Sequence, residues 1–296
     1  MQIGVVFPQT EMPADPGAVR AYALGVEALG YAHLLAYDHV VGADPAVHRG
    51  WDGPYDVHST FHEPLTVFSF LAAVCGLELV TGILILPQRQ TALVAKQAAE
   101  VDLLSGGRFR LGVGLGWNPV EYEVLGKDFT TRGRRVEEQV TLLRRLWTEP
   151  SVTFEGADDR VVGAGLAPLP LQRPIPVWFG AASPPAYRRA GRLADGWFPQ
   201  VPPGHGLEEA RATVEEAARA AGRDPAALGM EGRVSVAAGS PDAALDKLLD
   251  HAGRWRRAGA SHLSVNTMGA GLGGVDGHLR ALGRVAGALG LDARAA

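Results

Sequence analysis

The sequence predicts a (β/α)8 barrel (TIM barrel) with an insertion between its fourth and fifth strands, forming one domain over residues 1–296. Three observations predict it. Short apolar runs alternate with helix-period segments, and strands alternating with helices call for a parallel sheet. Eight such units in 296 residues favour a closed barrel over the runner-up, an open doubly wound sheet. A hydrophobic content of 47% is enough to bury a large core.

In chain order, Ile3–Phe7 is an apolar run closed by Pro8, and Gly17–Leu29 has helical spacing with Gly30 as its stop. Ala32–Tyr37 is the second strand. The polar, Gly/Pro/His-rich loop Asp38–Glu63 that follows is far longer than ordinary connections, as functional loops are. Then come a helix (Leu65–Cys75), a strand (Glu78–Leu86), a helix (Ala92–Leu104) stopped by Gly106-Gly107, a strand (Phe109–Val113) and an amphipathic helix (Arg134–Leu146). Ser151–Pro174, rich in Gly and Pro, is the insertion. The second half alternates strands at Pro176–Phe179, Gly196–Pro199, Arg233–Ala237 and His262–Asn266 with helices at Pro185–Leu193, Leu207–Ala221, Pro241–Ala258 and Val275–Leu289.

The net charge of −4 carries no basic footprint, so nucleic acid is not expected as a partner. Met1–Pro8 lacks the features of a signal peptide, and no long apolar span follows, so a cytoplasmic protein with no membrane contact is expected. Cys75 is the single cysteine, which rules out an intrachain disulfide and fits a reducing compartment.

Active sites of such barrels lie at the C-terminal ends of the strands. There the second strand ends in Tyr37-Asp38-His39, a carboxylate beside an imidazole that could deliver or remove a proton. The competing reading makes Asp38 a turn cap and His39 an ordinary loop residue. The fourth strand ends with Gly112, Gly114 and Gly116 before Trp117 and Asn118. Their spacing fails the dinucleotide fingerprint, but glycines there would let a flat ligand approach the backbone, with Trp117 as a wall, while close packing inside a crowded barrel reads Gly112 equally well. The fifth strand ends in Gly180-Ala181-Ala182-Ser183 and leads directly into a helix, an arrangement suited to a phosphate, although a simple Ser cap reads the same way. His58 and His62 are four apart, but they lie between Pro54 and Pro64 without helical periodicity and are read as loop histidines, so no metal is expected. Glu63 is read as the cap of the helix starting near Pro64. The arginines at 132, 134 and 135 are read as partners of acids such as Glu137 and Glu138.

These residues carry a family resemblance. Tyr37-Asp38-His39-Val40, His62-Glu63-Pro64-Leu65, the run Thr81–Pro87, Ala95–Ala98, Leu104–Arg108, Gly112–Asn118 and Ala194–Trp197 together resemble the luciferase-like monooxygenase superfamily. Within it, the chain is similar to the group described as probable coenzyme F420-dependent oxidoreductases. Roughly residues 1–200 carry the likeness.

The resemblance implies a flavin or deazaflavin at the C-terminal mouth, its ring backed by a bulge on the third strand with a non-prolyl cis peptide near Ile83-Leu84. It implies a phosphate site at Gly180, Ala181, Ala182 and Ser183, with Gly114, Trp117, Asn118 and Trp197 also near the cofactor. Asp38 would tune His39 for proton transfer alongside hydride transfer by coenzyme F420, with FMN and oxygen chemistry as the alternative. Two residues depart from the family pattern: Ala181-Ala182 stand where paired glycines are frequent, and Trp117 stands near a glutamate of related dehydrogenases. A small-molecule substrate and a homodimer are implied, with the apolar stretch Leu65–Leu79 as a contributor either to the interface or to the core. A metal-dependent hydrolase ranks lower, because the first strand has no H-x-H ligands. So does a catalytically silent flavin-binding barrel.

Overall fold

A computed structural model describes residues 1–236 and 241–292. Its strands are β1 (Gln2–Val6), β2 (His33–Ala36), β3 (Glu78–Thr81), β4 (Leu84–Ile85), β5 (Phe109–Gly114), β6 (Val152–Glu155), β7 (Arg160–Ala164), β8 (Val177–Ala181), β9 (Gly196–Pro199), β10 (Gly229–Ser235) and β11 (His262–Asn266). Its α-helices are α1 (Pro16–Ala28), α2 (Pro64–Ala72), α3 (Thr91–Leu104), α4 (Pro119–Val124), α5 (Arg132–Thr148), α6 (Pro184–Leu193), α7 (His205–Ala220), α8 (Pro241–Arg257) and α9 (Val275–Leu289). The ring runs β1, β2, β3, β5, β8, β9, β10, β11 and back to β1, every pair parallel, so the sheet closes and the open-sheet alternative is excluded.

Strand alternation sorts the side chains into two sets. Outward residues such as Val5, Leu34, Leu79, Leu111, Val177 and Leu263 belong to the large core between barrel and helices. Inward residues stack in layers along the barrel axis, as in other barrels of this kind. The lowest is charged: Arg110 donates to Glu231 at 2.6 Å and to both oxygens of Glu78 at 3.1 Å, while His33 and Ser264 meet Glu231 at 3.0 and 2.5 Å. Trp178 lies over the Arg110 guanidinium at 4.2 Å. Above this floor, Val6, Leu35, Val80, Trp178 and Phe198 form an apolar plug, with Tyr37 and Ile83 packed on it. The space beyond the plug is the barrel mouth.

Four features differ from the sequence expectation. The third strand is not continuous over Glu78–Leu86: it breaks at a cis Gly82–Ile83 bond into β3 and β4, and Leu86–Gln88 forms a 3-10 turn. The cis bond lies one residue before the expected place. The seventh barrel strand starts at Gly229 rather than Arg233, with Gly229 and Gly232 making room for the rings of Trp178 and Trp255. The expected end of that strand, Ala237, lies outside the described residues. The short helix α4 was not anticipated at all.

The insertion contains the antiparallel hairpin β6–β7. Leu65, Val67, Phe68 and Leu71 of α2 are buried in the core, while Phe70 remains exposed. The arginines of α5 find partners other than those expected. Arg134 and Arg135 face Asp158, whereas Glu137 binds Arg189 and Arg192, and Glu138 receives backbone N–H groups from residues 157–159.

The charged floor makes stability depend on pH. Burial alone would raise the Glu231 carboxyl, but Arg110 and His33 outweigh it and hold the group far below the ordinary carboxylate range. Burial, reinforced by the Arg110 charge, pulls His262 from 6.5 down to about 4. A histidine depressed in the fold stabilises it fully above its unfolded value, and that contribution is lost as pH falls from 6.5 to about 4. Urea denaturation across this window should therefore show a shallower loss of stability for His262→Gln than for the wild type; equal slopes would refute the assignment. Arg110→Ala, which removes the guanidinium charge facing the buried Glu231 and leaves it only His33 and Ser264, should cost about 3–5 kcal/mol.

Candidate active site

The C-terminal ends of the barrel strands enclose a cavity of about 550 Å³. Its inner shelf is Ile83. The break in the third strand turns this side chain inward, while Leu84 points outward into the main core and does not reach the cavity. A Cβ on Gly114 would stand 2.3 Å from Ile83, and one on Gly180 would stand 3.2 Å from it. These two glycines therefore make room for the Ile83 shelf, and Gly112 sits tightly against the carbonyl of Thr81.

Asp38 and His39 both line the cavity, but they do not work on one another. The buried Asp38 carboxylate accepts the Ile85 N–H at 2.8 Å and an Arg89 N–H at 2.8 Å, and Arg89 also binds Glu63 at 2.9 Å. Burial raises the Asp38 carboxyl above its ordinary value, opposed by Arg89 and the Ile85 N–H. The expectation that Asp38 orients His39 is thus corrected: its lone pairs are used in tying the start of the long loop to β4 and to the turn after it.

The carboxylate beside His39 is Glu121, on α4, with Oε2 3.7 Å from Nδ1. Glu121 is fully buried and accepts the N–H groups of Val40 at 2.5 Å and Val41 at 3.3 Å and the Gln88 amide at 3.2 Å. Burial would raise this carboxyl, but His39, the Val40 N–H and Gln88 together lower it, so it stands as an anion beside the imidazole. The His39 ring is also enclosed by aromatic neighbours, with centroids at 4.7 Å for Phe61, 5.0 Å for Tyr55 and 5.7 Å for Trp117. Trp51 in turn packs on Trp117. The long loop accordingly contributes an aromatic roof over His39.

The other sequence candidates divide. Trp117, Gly114, Gly180, Ala181, Ala182 and Ser183 line the cavity. Asn118 and Trp197 do not. Asn118 caps α4, its Oδ1 accepting the N–H groups of Val120 and Glu121. Trp197 points outward and packs against Tyr187 of α6 at 5.9 Å.

Ser183 is the exposed N-cap of α6 and makes no side-chain cap bond. Pro184 and Pro185 have no N–H, so the donors left at that terminus are the Ser183 hydroxyl and the N–H groups of residues such as Ser183 and Ala186. The Ala181 methyl lies in the outer core, so only its backbone borders the cavity.

Sequence reading missed Glu121, Tyr55, Gln200, Arg233, Ser235, Asn266 and Met268 as site residues. Arg233, Ser235 and Asn266 could have been found by strand alternation, since polar residues at inward positions near strand ends must face the mouth. The metal reading finds no support among the described residues, where no group of three or more His, Cys, Asp or Glu could hold an ion. His62 packs against Phe7 instead, and Glu63 caps α2 through the Thr66 N–H at 2.7 Å. No helix among the described residues is long and apolar enough to cross a membrane.

The chain is thus a closed parallel (β/α)8 barrel whose mouth brings together an imidazole–carboxylate pair, an apolar shelf and an open helix terminus. The chain belongs to the luciferase-like monooxygenase family, which it matches over residues 1–281.

It is 35% identical over 160 residues to the FMNH(2)-dependent dimethylsulfone monooxygenase of Pseudomonas putida, covering 52% of this chain and 43% of that one. To the F420-dependent glucose-6-phosphate dehydrogenase of Amycolatopsis mediterranei it is 31% identical over 185 residues, covering 60% and 51%. The aligned stretches thus span only about two fifths to one half of these relatives. Among solved structures, an F420-dependent secondary alcohol dehydrogenase in complex with an F420-acetone adduct superposes with a TM-score of 0.76, covering 96% of this chain and 98% of that one at 20% identity. At that identity the likeness bears on the fold alone.

Because Glu121 anchors Val40 and Val41, Glu121→Ala should lower stability by about 1–3 kcal/mol. It should also speed proteolysis within residues 40–62. Unchanged cleavage in that loop would show that the carboxylate does not hold it.

Proposed function

We propose that this protein is an oxidoreductase that uses coenzyme F420 for hydride transfer to or from a small organic substrate. The observation that carries the reading is the cavity itself, which joins the Ile83 shelf, the His39 imidazole and the uncapped Ser183 in one space. Its volume lies within the usual range for small-molecule sites, and the shelf suits the face of a planar ring. The Ser183 hydroxyl and neighbouring N–H groups would hold the phosphate, while Gly114, Trp117, Gly180, Ala181 and Ala182 would border the ring and its linker.

Leu84, Asn118 and Trp197 serve this site from behind. Leu84 seats β4 in the outer core, Trp197 packs on the helix that begins at Ser183, and Asn118 caps the helix that carries Glu121.

When bound, the deazaflavin supplies a ring carbon that takes or gives a hydride. His39 would move the accompanying proton. Its Nδ1 faces the Glu121 anion, which fixes the ring and leaves Nε2 for a substrate oxygen, while the aromatic roof excludes water. Asp38 acts at one remove, holding the loop through Arg89 and the Ile85 N–H.

FMN with oxygen chemistry is the second reading, favoured by the similarity to the FMNH(2)-dependent relative. The same proposal places the protein in the cytoplasm as one domain and as a homodimer. The buried free thiol of Cys75 supports the compartment, and the exposed Phe70 on α2 supports the dimer.

Fluorescence titration of the apoprotein with coenzyme F420 and, separately, with FMN tests the assignment. Tight binding of F420 alone is expected. Ser183→Ala should weaken it by about threefold to tenfold, the worth of one hydrogen bond. His39→Ala should leave affinity nearly intact, since its role is in proton movement. Preference for FMN would move the protein to the monooxygenase reading, and binding of neither would overturn both.

A further inference from the structure

Arg233 is a cation inside the cavity that no carboxylate among the described residues pairs with. It projects inward from β10, one layer above Glu231, whose carboxylate is already engaged by Arg110, His33 and Ser264. Among the described residues Arg233 enters no ion pair. Its side chain makes one hydrogen bond, from Nη1 to the Tyr37 hydroxyl at 2.9 Å. The residue is exposed although its strand lies within the closed ring, so the accessible face of the guanidinium is turned to the cavity.

The group is also held in place. Tyr37 is fixed by its N–H donating to Gln9 at 2.7 Å, and the Arg233 carbonyl accepts the Trp255 indole N–H at 3.2 Å. The remaining guanidinium N–H donors keep the planar fork that a carboxylate accepts in bidentate fashion. Ser235 and Asn266, paired in register on β10 and β11, place neutral polar groups beside it.

We propose that Arg233 anchors a carboxylate of the substrate, so that the substrate of this site is an organic acid. The inference rests on the cavity being a cofactor and substrate site, as proposed above. A cofactor phosphate fits Arg233 poorly, because the open helix terminus at Ser183 follows β8, two strands away around the ring.

The test compares benzoate with benzamide, which share size and ring but differ in charge. Calorimetry on the apoprotein and fluorescence on the F420-loaded protein would read their affinities. Benzoate should bind about tenfold or more tightly than benzamide, the scale of a charge-assisted contact. Arg233→Gln should erase that preference while leaving F420 affinity within about twofold, and Tyr37→Phe, which keeps the charge but frees the fork, should reduce the preference partway.

Absence of a benzoate preference in the wild type, or its survival in Arg233→Gln, overturns the proposal. So does a loss of F420 affinity in Arg233→Gln that matches the loss of benzoate binding, which would assign the arginine to the cofactor. Wild-type protein that binds no F420 counts against the cofactor reading alone, because the apoprotein comparison still decides the role of Arg233.

Discussion

Arg110 stands inside the barrel, and a guanidinium in that position must be neutralised or the ring cannot close around it. Glu231 and Glu78 supply the charge from β10 and β3, strands that lie apart in the ring, while Trp178 covers the guanidinium face. Removing either member of such a pair is costly, because the other is left charged and away from water. The floor therefore ties together strands that do not neighbour one another. It also sets the level at which the apolar plug begins, and so the depth of the cavity above.

That cavity owes its form to a second constraint, the break between β3 and β4. A continuous strand would keep strict alternation through Leu86. The break at Gly82–Ile83 presents Ile83 to the barrel axis and sends Leu84 into the outer core. The glycines at 114 and 180 are the counterpart on β5 and β8, the next strands around the ring, since any side chain there would meet Ile83. Three separated segments of sequence thus cooperate to make one flat apolar surface.

Much of this was legible in the sequence. The apolar alternation located all eight barrel strands and the eight longer helices, and Glu63 was recognisable as a helix cap because it precedes Pro64 at a helix start. Gly229 and Gly232 concealed the start of β10, since a glycine that accommodates a tryptophan ring from another strand or helix looks the same in sequence as one in a turn. The six-residue helix α4 escaped because its span is too short to show a helical period. Asp38 and His39 are neighbours in the chain and invite pairing, yet adjacent side chains at a strand end point in different directions. Each therefore found its partner elsewhere.

What the sequence determined by itself was the order of strands and helices, the rim on which a site must lie, and the residue types available there. These follow from local periodicity and turn chemistry, which act over a few residues. The tertiary structure decided which charges meet: Asp38 with Arg89, His39 with Glu121, Arg110 with Glu231, and Arg233 with no acid among the described residues. Such pairings depend on which strand ends closure of the ring brings together. No periodicity in the chain encodes distances between segments so far apart.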